Sequence, residues 1–150
     1  MVNRKTLGRT GVPFALDVDR GKIREFARAT GSDNPAHLAD EGAVSPPTFL
    51  ATQLFWQGEG EANPWALLEL DLRRVLHAEQ EYTFHGPPPS AGARLTGTST
   101  ITDMYVKQGR RGGEMTFVVM TTEYRDSSGR LVAEAKMTGV ETARPPSEEA

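Results

Sequence analysis

The chain is 150 residues long, with 37% apolar and 25% charged residues and a formal net charge of -3. That is one domain's worth of chain, long enough to bury a core, and the charge balance gives no electrostatic footprint for nucleic acid or an anionic membrane. The absence of cysteine excludes disulfides, zinc–thiolate sites and thiol nucleophiles, and it fits a reducing cytoplasm.

No apolar run approaches the ~20 residues of a membrane span. The charged opening Met1 to Thr6 has no apolar stretch behind it, so no secretory leader is expected. Residues 2–18 hold short apolar stretches broken by Gly8, Gly11 and Pro13, which predicts an irregular start with one short strand. A helix follows. Ile23, Phe26, Ala27 and Thr30 fall at i, i+3, i+4 and i+7 on one face, with Asp19 as N-cap and Gly31 as the stop. Residues 32–47 are turn chemistry, Ser32-Asp33-Asn34-Pro35, then Gly42, then Ser45-Pro46-Pro47. Asn34 precedes a proline and is expected to be extended. An aperiodic run of this length inside a small domain is functional or disordered, and His37 sits in its middle. Residues 47–56 are apolar nearly all round (Phe49, Leu50, Ala51, Leu54, Phe55, Trp56), the pattern of a buried helix that Gly58 ends. Residues 59–71 form a polar turn in which Asn63-Pro64 allows a short helix.

From Leu72 the period changes to two. Leu76, Ala78, Gln80, Tyr82 and Phe84 share one face of a predicted strand, and His77, Glu79, Glu81, Thr83 and His85 share the other. Residues 86–92 break it. Residues 94–106 and 115–124 predict two more strands, the latter β-branched and central, around a glycine–arginine turn. Asp126 to Gly129 predicts a hairpin turn into a last strand that alternates Leu131, Ala133, Ala135, Met137 and Gly139 with polar partners. Residues 1–143 are expected to form one domain and residues 144–150 a disordered tail. One apolar helix followed by a run of strands predicts an α+β domain, with an antiparallel sheet wrapped around a central buried helix.

The run Phe26-Ala-Arg-Ala-Thr-Gly31-Ser-Asp-Asn34-Pro35-Ala-His37-Leu-Ala-Asp40 resembles the signature of the MaoC-like dehydratases, the (R)-specific enoyl-CoA hydratase group with the hot-dog fold. Ser45-Pro46-Pro47-Thr48-Phe49-Leu50 resembles that family's entry into its central helix. His77-Ala-Glu79-Gln80-Glu81-Tyr82, with Pro87 and Ala91-Gly92-Ala93, resembles its following strand. The hairpin around Lys107-Gln-Gly-Arg110-Arg111-Gly is similar to its next one, and the match covers residues 7–142. The N-terminal-type, fatty-acid-synthase-like dehydratase domain is the most similar subgroup.

The resemblance implies a hot-dog fold and hydration of an enoyl thioester, or its reverse, by a histidine and a carboxylate that share one water. Transferred residue by residue, Asn34, Pro35 and His37 match the motif, and the aspartate position falls on Ser32. Asp33 stands one place late, and a one-residue shift in extended chain turns a side chain to the opposite side. His37 is the candidate acid/base, or else a loop histidine bonded to nearby backbone. Asp33 is a displaced carboxylate or an Asx-turn cap, and the Ser32 hydroxyl is too weak an acid or base to replace the aspartate. Asn34 completes the motif. Thr48 and Phe49 offer backbone N–H groups to a thioester carbonyl, or are ordinary helix-start donors. Lys107, Arg110 and Arg111 meet coenzyme A phosphates or form a solvated turn. His77 and His85 read as structural or surface residues, and Trp56 and Trp65 as core or tunnel wall. The three histidines have no metal spacing.

Three functions compete. The first is an acyl-thioester hydratase/dehydratase unit for enoyl-CoA, 3-hydroxyacyl-CoA or acyl-carrier-protein substrates, as a homodimer or as a heteromer with a second hot-dog subunit. The second is a non-catalytic acyl-CoA-binding subunit supporting a catalytic partner, which Ser32 favours. The third is a hot-dog thioesterase, ranked last because no carboxylate lies between Thr48 and Gly58. No cofactor is implied beyond coenzyme A as part of the substrate.

Overall fold

The computed structural model describes residues 2–109 and 113–144. Its backbone is a five-stranded antiparallel sheet of β1 (Phe14–Asp17), β2 (Val75–Phe84), β3 (Arg94–Gln108), β4 (Glu114–Arg125) and β5 (Leu131–Glu141), in the order β1-β3-β4-β5-β2. The expected α+β layout holds, and β4 lies at the centre of the sheet. None of the described helices is long and apolar enough to cross a membrane.

Helix α1 (Arg20–Ala29) forms where the sequence places it. The Asp19 carboxylate accepts from the Lys22 N–H at 3.1 Å, satisfying one of the donors a helix start leaves open. Ile23 and Ala27, one turn apart, are buried. Past Thr30 the chain needs a left-handed residue, and Gly31 supplies it at φ +70°. The buried inner face of the sheet carries two groups of side chains. Leu16, Leu95, Tyr124 and Ala133 pack with Ile23 of α1 and with Phe49 and Leu50. Ile101, Val118 and Met120 pack with Val2 and Leu68 at the other end. Phe26 meets Phe49 edge to face at 5.7 Å, which locks α1 onto the segment that follows it.

That segment departs from expectation. Residues 47–58 do not form a helix buried on every side. They form a seven-residue 3-10 helix, Phe49–Phe55, with Phe49, Leu50, Thr52 and Gln53 buried. Leu54 and Phe55 are 72% and 80% exposed. Phe49 and Leu50, with Thr52 and Gln53 three residues on, face the core, while Leu54 and Phe55 stay largely exposed, with Lys22 over the Phe55 ring at 5.9 Å.

The second departure is a β-bulge in β2. Leu76 pairs with Val140 and His77 with Gly139, but Glu79 pairs with Thr138, so Ala78 is the extra residue. A one-residue insertion reverses the facing of everything beyond it. His77 therefore shares the inner face with Gln80, Tyr82 and Phe84, while Leu76 shares the outer face with Glu79, Glu81 and Thr83. Strict alternation along the sequence assigns both His77 and Leu76 to the wrong side. The free edge of β2 has no partner strand among the described residues.

Candidate functional site

Asn34, Pro35 and His37 are brought together by a local helix start rather than by an extended loop. Pro35 occupies the first turn of a four-residue helix, α2 (Pro35–Leu38), and the Asn34 side-chain oxygen accepts from the Ala36 N–H at 3.0 Å. Proline's fixed φ and asparagine's short acceptor both suit that start. Asn34 itself is extended, as expected, at φ -61° and ψ 118°. His37, 8% exposed, is turned inward, and its Nδ1 lies 2.8 Å from the Val44 carbonyl oxygen. A carbonyl only accepts, so Nδ1 carries a proton, and in the neutral ring Nε2 is the nitrogen left to take one. The Val44 N–H donates to the Ala36 carbonyl at 2.9 Å, closing the loop around the ring.

The carboxylate half of the dyad is not assembled. Ser32 holds the position where the motif carries an aspartate, and its hydroxyl oxygen accepts from the Asn34 N–H at 3.4 Å, a local turn contact. Asp33 is exposed and, among the described residues, makes no hydrogen bond or ion pair with His37 or any other group. No cluster of three acidic or histidine side chains suited to a metal ion occurs among the described residues.

The expected thioester donors are half available. The Phe49 N–H already donates to the Pro46 carbonyl at 2.9 Å, so it does not face a ligand. Thr48 caps the 3-10 helix with no side-chain bond and is exposed. Lys107 lies over the stacked rings of Tyr105 and Phe117, 5.1 and 5.2 Å from their centres, an engagement the sequence reading missed. Arg110 and Arg111 lie outside the described residues.

Sequence reasoning also missed a cavity of about 210 Å³ between the far end of the Phe49–Phe55 helix and the inner face of the sheet. Its apolar wall includes Trp65, Met120 and Met137, and its polar residues are Gln53, Gln57, Asn63 and His77. Gly139 makes that wall possible. A Cβ there would stand 2.3 Å from the Trp65 ring, so only glycine lets the indole lie across β5. Behind the cavity the Tyr124 hydroxyl donates to the Gln53 side-chain oxygen, and burial pushes the Tyr124 phenol far above its usual range, so it stays a donor. Gln57 donates to Ser99 at 3.0 Å, and Ser99 is bonded to Thr122 at 2.8 Å. The alternating strands point to a packed face, but only the β2 bulge adds His77 to this cavity, and nothing in the sequence announces the bulge.

A family model described as the FAS1-like dehydratase domain region matches residues 5–135. A UPF0336 protein of Streptomyces griseus is 34% identical over 143 residues, covering 89% of this chain and 91% of that protein. A UPF0336 protein of Thermobifida fusca is 35% identical over 140 residues, covering 87% and 88%. Among solved structures, the C-terminally truncated HadBC complex of Mycobacterium tuberculosis, a 3R-hydroxyacyl-ACP dehydratase, superposes with a TM-score of 0.68 at 26% identity over 90% of this chain and 96% of that one. The ChsH1–ChsH2 complex of the same organism shares the fold with a TM-score of 0.70 at 20% identity, over 93% of this chain and 87% of that one. The hot-dog architecture expected from the motifs is the one these structures have.

Proposed function

Because the chain belongs to the FAS1-like dehydratase-region family, we propose that it is the acyl-thioester-binding subunit of a hydratase/dehydratase whose water-activating carboxylate is supplied by a second hot-dog subunit. The observation that carries this reading is the half-built dyad. His37 is held in the proton-accepting tautomer, but Ser32 stands in the carboxylate position and Asp33 is turned out to solvent. Neutral imidazole alone neither orients a water nor stabilises the imidazolium that forms when it takes a proton. The acyl chain would lie in the cavity under Gln53 and Gln57, where Trp65, Met120 and Met137 give an apolar wall.

The partner would dock on the free edge of β2 and on Leu54 and Phe55 of the neighbouring helix. An unpaired strand edge and two exposed apolar side chains are what a second sheet would cover. Two of the structures that share this fold are complexes, HadBC and ChsH1–ChsH2, which supports a heteromer.

The test is hydration of a short trans-2-enoyl-CoA by the purified chain alone. The wild type is expected to be slow or inactive, and Ser32→Asp is expected to raise the rate by restoring a carboxylate at the motif spacing. A fast wild-type chain that Asp33→Asn abolishes would show that Asp33 already serves, and would overturn the reading.

A further inference from the structure

Eight of the fifteen lysines and arginines among the described residues hold a carboxylate. Arg20 holds Asp40 at 3.0 Å, Arg125 holds Glu123 at 2.7 Å, and Arg130 holds Asp126 at 3.1 Å. Arg4, Lys5 and Arg9, three cations within six residues, hold no carboxylate among the described residues. Lys5 and Arg9 line a cleft of about 330 Å³ between the first 3-10 helix, Arg4–Thr6, and the wall segment Ala66–Glu69.

The cleft is built before any ligand arrives. The Asn3 N–H donates to the Leu68 carbonyl at 2.9 Å, and its side-chain amide to the Leu67 carbonyl at 3.4 Å. The Thr6 hydroxyl donates to the Asn3 carbonyl at 2.7 Å. Arg9 is pinned from both sides, its N–H donating to the Thr6 carbonyl and its carbonyl accepting from the Ile101 N–H at 3.0 Å. Two like charges thus line one cleft whose backbone is ordered, in a chain of net charge -3. Such an arrangement is relieved by an anion, and arginine's planar fork with a lysine point charge suits phosphate oxygens. Glu69, on the opposite wall, is the one acid lining the cleft and opposes such a ligand.

We propose that this cleft binds a phosphate ester of the acyl carrier. The wall segment borders both sites: Trp65 lines the cavity, and the three positions Ala66, Leu67 and Glu69 line the cleft. A ligand with an apolar end and a phosphorylated carrier would therefore span one short piece of chain. The identity of the anion as part of a thioester carrier rests on the function proposed above, whereas the anion site itself rests on the cleft. Lys107 is the weaker alternative, because it is engaged by two aromatic rings.

The test is calorimetric binding of coenzyme A, dephospho-coenzyme A, pantetheine 4′-phosphate and pantetheine to the full chain at low ionic strength. Coenzyme A is expected to bind, the Lys5→Ala/Arg9→Ala double variant to weaken it about tenfold, and Glu69→Gln to tighten it about twofold, effects that 0.5 M salt should largely screen. If dephospho-coenzyme A binds much more weakly, the site takes the ribose phosphate of coenzyme A. If pantetheine 4′-phosphate binds as well as coenzyme A, the site takes the phosphate at the pantetheine arm, which a carrier protein also bears. Either pattern supports the proposal. Equal binding of pantetheine, or coenzyme A binding that the double variant leaves unchanged, overturns it. Binding of a phosphate-free N-acetylcysteamine enoyl thioester to the wild type reports the acyl reading separately, since that ligand has no group for the cleft.

Discussion

Gly139→Ala is the perturbation most sharply fixed by the structure. The added Cβ would lie 2.3 Å and 2.7 Å from two atoms of the Trp65 indole, where carbon atoms at rest stand about 3.5–4.0 Å apart. The ring must therefore retreat by about 1 Å or more, and the obstacle is the body of a large ring rather than the end of a flexible chain. Overpacking of this kind costs about 1–3 kcal/mol. For a domain of this size that corresponds to a fall in melting temperature of about 2–12 °C. Thermal unfolding followed by circular dichroism measures the cost, and tryptophan emission follows the displaced ring. A second arm isolates the cause. In a Trp65→Phe background the smaller ring leaves room for the Cβ, so Gly139→Ala should cost at least about 1 kcal/mol less there. The retreating indole also takes room from the acyl cavity, so the single variant should bind a medium-chain acyl thioester more weakly than the wild type. An equal cost in both backgrounds would refute the claim that the glycine exists to admit Trp65.

Other outcomes follow from the same geometry. His37→Ala should lower stability by about 1–2 kcal/mol in urea unfolding, because it removes a buried ring and orphans the Val44 carbonyl. An unchanged midpoint would mean that this bond is not made. The double change Leu54→Ser/Phe55→Ser should leave the fold intact but weaken partner association. Full burial of such a side chain yields about 1.5–3 kcal/mol, so these two, about three-quarters exposed, account for about 2–4 kcal/mol, or roughly 30- to 1000-fold in Kd. Sedimentation of the mixed subunits reads that loss, and unaltered association would place the interface elsewhere. In acid, Asp71 is held down to about 2 by its Arg73 partner, and Asp126 to about 2 by the Ser128 hydroxyl and Arg130. A carboxylate lowered from 3.8 stabilises the fold above that pH and loses its effect as pH falls toward 2, so Asp71→Asn and Asp126→Asn should each flatten the stability profile between pH 4 and pH 2.

How far the sequence carries the argument depends on whether the cause is local. Helix α1 is legible because its cap, its apolar stripe and its stop lie within thirteen consecutive residues, Asp19 to Gly31. The Asp126–Gly129 turn and the strands flanking it are legible for the same reason. The departure at Ser32 is also legible, since motif spacing needs no structure. The inward turn of His37 is not, because it depends on the carbonyl of Val44 across a loop. Apolar residues at 54 and 55 read as core because composition does not reveal that they stand on the outer side of the 3-10 helix. The bulge at Ala78 leaves no mark in the alternation, yet it decides which face His77 serves. The cavity wall depends on Trp65 meeting Gly139, two residues far apart in the chain that only the sheet brings together.

The central claim is that this chain supplies the acyl site and another supplies the water-activating carboxylate. The direct measurement is hydration of a trans-2-enoyl thioester by this chain alone, by a hot-dog subunit carrying an intact Asp-x-Asn-Pro-x-His motif alone, and by the two combined. The account predicts a rate for the mixture at least tenfold above the sum of the separate rates, together with a stable complex of the two chains. A rate for this chain alone equal to that of the mixture would contradict it.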